Sequence, residues 1–137
     1  MSTTHRIHRD ESGMVGKIIV IWLIMVAVLG VIALDAASVV FATFRASDVA
    51  ATAATAGATT FRTRKDVSDA CDAARRSIEE GDASVQLPKS FCKVDTASGL
   101  VTITVKKQAR TIVAGRLSFT EDLTKVVAKE TAGPSTL

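Results

Sequence analysis

The chain has no tyrosine, one tryptophan and five phenylalanines, so aromatics are only 4% of it. Base-stacking platforms are therefore missing, and the single Trp22 lies inside an apolar run. Basic residues are not gathered either. Arg62, Arg64 and Lys65 form one small cluster, Lys106, Lys107 and Arg110 another, and the formal net charge is only +3. This composition reads as a solvated mixed-charge surface, and nucleic acid is not an expected partner. Histidine is confined to His5 and His8. Their His-x-x-His spacing lacks a third metal ligand, and no histidine follows to complete a Ser or Cys triad. Asp66, Asp69 and Asp72 recur every three residues, which reads as helix-dipole and solvation chemistry. No phosphate loop is present. The expectation is a non-enzymatic protein with no cofactor and no metal. Proline is absent before Pro88, so nothing from Met14 to about Phe61 stops a helix decisively, although Gly30, Gly57 and several threonines weaken one.

What the sequence has in quantity is apolar chain at its front. Ile18–Leu34 is 17 consecutive residues without a charge, and Met14–Lys17 extends the run. A hydrocarbon core of about 30 Å needs roughly 20 residues at about 1.5 Å each. Residues 14–35 are therefore expected to cross a membrane, behind a cytoplasmic leader of residues 1–13. Lys17 at the edge reaches the headgroups from beside Ile18, Trp22 is an interfacial anchor, and Leu34 closes the run. Arg6, Arg9 and Lys17 precede the run and Arg45 is the first basic residue after it, which puts the N-terminus inside. A cleaved secretory signal is the competing reading, with a small-residue site after Asp35.

The next stretch, residues 36–62, is rich in alanine, the best helix former. The simplest reading is one helix of about 45 residues, some 70 Å long, half in lipid and half projecting outward. Its alanines permit close packing onto the protein's own domain, onto other subunits, or both.

Residues 63–137 read as a small extracytoplasmic domain. Asp66–Glu80 is an expected helix, capped by Asp66 or Ser68 and ended by Gly81, with Val67, Ala70, Cys71, Ala74 and Ile78 on one face. Ser84–Leu87 and Phe91–Val94 are short strand candidates broken by Pro88. Thr96–Gly99 is a turn, and Leu100–Lys107 alternates cleanly, so Phe91–Val94 and Leu100–Lys107 make a hairpin. Arg110–Leu117 reads as a helical turn ending near Gly115. Leu123–Glu130 divides between helix and strand, its β-branched residues favouring a strand that closes the sheet, and Gly133–Leu137 is a tail. Cys71 and Cys92 fall on elements expected to pack together. Outside the cell they read as a disulfide, and in a reducing compartment as two core thiols. The class is α+β: a long N-terminal transmembrane and stalk helix, a second helix and a small antiparallel sheet, pilin-like in outline.

The order of these features resembles TadE/TadG-like proteins of tight-adherence (Flp) pilus assembly. The matching segments are Arg9-Asp10-Glu11-Ser12-Gly13, the run Met14–Leu34, Asp35 just past it, Phe41, and Ala46-Ser47-Asp48-Val49-Ala50-Ala51. Toward the other end they are Val101–Val105, Gly115-Arg116-Leu117 and Val126-Val127-Ala128. The resemblance implies a single-pass protein of the bacterial inner membrane that meets the lipid bilayer and other pilus-assembly or envelope proteins; self-association through the Ala-rich helix is the expectation from its alanines. It marks Asp35, Phe41 and Asp48 as motif positions and Gly13–Met14 as the place of a prepilin-type cleavage. The chain departs from the cleaved, fibre-forming pattern at Ile18, where such pilins carry a glutamate. That departure favours an anchor over a filament subunit. An envelope binding or regulatory module unrelated to pili is the alternative.

Overall fold

The computed structural model describes residues 11–118 and 120–133. His5, His8, Arg6, Arg9 and the end of the tail lie outside the described residues. Helix α1 spans Glu11–Arg64, 54 residues or about 80 Å, with no break at Gly13–Met14, Gly30 or Gly57. Lys65 ends it by turning left-handed at φ 56°, its amide donating to the Phe61 carbonyl at 2.8 Å. Asp66 is extended and caps helix α2, Val67–Gly81, by accepting the Asp69 amide at 2.9 Å. The chain thus reverses within two residues, and α2 runs back along α1.

The two helices approach through small residues. Ala46, Ala50, Ala53 and Ala54 of α1 and Ala70 and Ala74 of α2 are all fully buried. At Gly57 an added Cβ would lie 3.0 Å from Val101 Cγ1 and 3.2 Å from the Ala70 carbonyl oxygen, so the absence of a side chain sets this crossing. Of the alanines of residues 36–62, Ala36, Ala37 and Ala51 stay exposed, while Ala42, Ala46, Ala50, Ala53, Ala54 and Ala58 pack inward, onto the chain's own domain. With Val49 and Phe61 they supply one wall of a core shared with the residues that follow.

The sheet is three-stranded and antiparallel in the order β1-β2-β3, with β1 Cys92–Asp95, β2 Leu100–Gln108 and β3 Lys125–Ala132. Cys92 pairs with Ile103, Asp95 with Leu100, Val101 with Ala132 and Gln108 with Lys125. Val101, Ile103 and Val105 of β2 are fully buried against the helices, while Thr102 and Thr131 share a hydroxyl hydrogen bond at 2.9 Å on the other face. Gly99 makes the β1–β2 turn at φ 71°, a conformation that favours glycine.

Four expected elements are adjusted. Ser84–Leu87 reduces to a single bridge, Gln86 to Lys106, because Asp82 draws Ser84 into a turn and Pro88 has no amide to donate. β1 begins one residue later than expected, though the Phe91 carbonyl still accepts the Thr104 amide at 2.7 Å. The strand expected over Leu123–Glu130 runs over Lys125–Ala132, and Leu123 and Thr124 belong to a 3-10 turn, Glu121–Thr124, that precedes it. A second 3-10 turn, Ala114–Arg116, takes the place of the expected helical turn.

The first half of α1 touches almost nothing. Ile18, Trp22 and Leu34 are 56%, 69% and 61% exposed, and Lys17 is exposed as well. Among the described residues one helix is long and apolar enough to cross a membrane, its best window having a mean hydropathy of 2.9 with only 6% buried. By length and composition that segment suits a membrane span or a secretory signal, and it is not the core of this domain.

Candidate functional site

The bare and packed halves of α1 meet at Asp35. Among the described side chains it is the one acidic residue of the helix that is buried, at 8% exposure. Its carboxylate accepts three consecutive backbone amides: Ile112 at 2.6 Å on Oδ1, and Val113 and Ala114 at 2.9 Å each on Oδ2. These amides open the Ala114–Arg116 turn, where backbone N–H groups lack partners of their own and favour a carboxylate. One turn further along α1, the Ser38 hydroxyl donates to the Arg110 carbonyl. Two side chains of α1 thus hold down the loop between β2 and β3.

The loop is tied internally as well. Thr120 donates to the Ala114 carbonyl at 2.6 Å, and the Gly115 amide donates to Thr111 Oγ1 at 2.8 Å. The Ala109 amide donates to the Thr124 carbonyl at 2.8 Å and closes the neck. Buried Thr124 turns its hydroxyl back to the Glu121 carbonyl at 2.7 Å. Between this loop and α1 lies an apolar groove of about 820 Å³. Ala27, Val28, Val31 and Ile32 wall it on the helix side, Val113, Leu117 and Leu123 on the loop side, and Asp35 stands at its head.

The other motif positions do not join this site. Phe41 is 70% exposed and Asp48 is also exposed, and one heptad apart they share the outward face of α1. Cys71 and Cys92 form a disulfide with a Cα–Cα distance of 5.8 Å, joining α2 to β1. The least exposed ion pair among the described residues is one that sequence reasoning missed. Lys107 reaches Asp82 with both side chains mostly buried, and Ser84 joins them. The Lys107 ammonium, then the Ser84 hydroxyl, hold the Asp82 carboxyl down to about 2. Asp-x-Ser is a legible turn signal, but nothing local points to Lys107.

A smaller cleft of about 170 Å³ opens at the far end of the domain, between Phe61, Arg62 and Lys65 and the Thr96–Gly99 turn. Among the described residues no group of three His, Cys, Asp or Glu side chains is placed to hold a metal. The chemistry on display is therefore backbone capture and apolar contact. Compared with protein-family models, curated proteins and solved structures, the chain finds no match.

Proposed function

We propose that this chain is a non-enzymatic, single-pass component of tight-adherence pilus assembly, of the TadE/TadG-like kind. It is held in the bacterial inner membrane with its N-terminus in the cytoplasm and its domain outside. The observation that carries the reading is α1 itself: one unbroken helix, bare and apolar over residues 14–34, that continues as a wall of a folded domain. A bare apolar face of that length needs lipid around it. Two further features support the reading. The basic residues Arg6, Arg9 and Lys17 precede the run, and a disulfide persists in an oxidising space outside the cytoplasm. The protein acts through contacts. The buried alanines are engaged within the chain, so association with copies or with envelope partners uses the exposed surfaces of the domain.

Three measurements test this. The N-terminal mass of protein purified from membranes is expected to retain the run. A new N-terminus beyond Asp35 with the protein in the soluble fraction rejects the anchor. Alkaline phosphatase fused after residue 133 is expected to be active, and an inactive fusion reverses the orientation. Deletion of the gene is expected to abolish pili. Intact piliation with an intact anchor would leave the envelope binding or regulatory module as the reading.

A further inference from the structure

Two exposed apolar flanks border α1 near the outer end of its bare half. On one flank Val40, Phe41 and Phe44 are 53%, 70% and 71% exposed. On the other, Ile112, Val113, Leu117 and Leu123 are 57%, 42%, 40% and 69% exposed. The height of the loop is set by its ties. Asp35 fixes residues 112–114 beside it, and Ser38 fixes Arg110 a turn above. The groove beneath reaches down to Ala27, about 12 Å below Asp35 along the helix, while Phe44 lies about 14 Å above it. An apolar collar of this extent is unusual on a surface that faces water.

We infer that the collar is seated in the outer interface of the bilayer, with a phospholipid acyl chain filling the groove between α1 and the loop. The domain then rests on the membrane and is not held clear of it. The inference depends on the membrane reading above. Lipid is the occupant because the helix wall of the groove is the outer surface of the span itself, so the groove is continuous with the lipid-facing surface. The dimensions agree. Met14–Leu34 covers about 30 Å of hydrocarbon, and Asp35–Phe44 a further ~15 Å, the headgroup layer where aromatic side chains concentrate. Exposed Arg110 stands at that level to meet phosphates, and Lys125, at 3.3 and 3.0 Å, offsets one of the two charges of the loop's acidic pair, Glu121 and Asp122. A helix of a second copy fits less well, because the walls are mostly Val, Ile and Leu where packing between membrane helices prefers small residues.

Full-length protein in vesicles of phosphatidylcholine and phosphatidylglycerol, brominated along the acyl chain, tests this by tryptophan quenching. Native Trp22 reports the span, so its failure to quench rejects the membrane reading itself. With Trp22→Phe in the background, the indoles of Leu117→Trp and of Leu123→Trp are expected to quench at least twofold more than that of Val127→Trp, on the outer face of β3. The Cys71–Cys92 bond, assayed as the absence of free thiol, confirms folding of each variant. Quenching of native Trp22 with loop indoles no more quenched than the Val127→Trp control overturns the inference alone. So does loss of loop quenching when copies are concentrated and cross-linked, which would assign the groove to a second chain.

Discussion

The two halves of α1 are one helix in two opposite environments. Along residues 14–34 the large side chains Ile, Leu, Val, Met and Trp stand exposed, whereas along 42–61 the buried positions are mostly alanine. In a water-soluble domain large apolar residues go inside and small ones are tolerated anywhere. Here the bulky half has no protein to pack on, and the small half has so much that only alanine and Gly57 fit. The difference teaches that side-chain size, and not hydrophobicity alone, marks where the lipid-type surface ends and the protein core begins. Asp35 stands at that change.

Several measurements would break or sharpen this contrast. Replacing both Cys71 and Cys92 by alanine removes the only covalent tie among the described residues. It is expected to cost about 3 kcal/mol for a loop of this length, read from urea unfolding in micelles with and without reductant. An equal swap in the two halves tests the contrast directly. Ala54→Leu, at a fully buried position, is expected to cost about 2 kcal/mol through overpacking, whereas Ala33→Leu, at an exposed one, changes stability by less than about 0.5 kcal/mol. Equal effects would mean that the halves share one environment. Asp35→Ala leaves three amides without their acceptor and is expected to cost about 1.5 kcal/mol. It should also speed hydrogen exchange at Ile112–Ala114 while leaving β2 protected. The smallest effect is one of pH. The Asp82 carboxyl is held at about 2 in the folded chain, below its ordinary value of 3.8. Its contribution is complete above about pH 5 and is lost as pH falls through 3.8 toward 2. After allowance for solvent screening it amounts to about 1 kcal/mol, and Lys107→Met should flatten that part of the pH–stability curve.

Much of the fold is legible in local patterns. The period-two alternation of Leu100–Lys107, the Asp66 cap and the apolar stripe of α2 each depend on neighbours in sequence; the first two appear as read, and the stripe holds at Ala70, Ala74 and Ile78 but not at Val67, which is exposed. The Ala-rich stretch is less legible, because alanine is apolar on every face and leaves no periodic stripe to show which side is buried. The site at Asp35 is legible only as a position. Its three amide partners lie 77 to 79 residues away, and a capping signal carries no information over that distance. The course of residues 109–124 is hidden for the same reason: its hydrogen bonds to α1 use backbone groups, which every sequence possesses.

The disulfide joins α2 to β1 and makes no bond to α1. That has a mechanical consequence. Traction applied to the N-terminal, apolar half of α1, along its axis, loads the alanine seam and the Asp35 amides in shear and bypasses the sulfur bridge entirely. The force at which the rod slides free of its domain is set by noncovalent contacts alone. Once they yield, the bridge withholds from the extending chain only the loop between its cysteines, which are 21 residues apart.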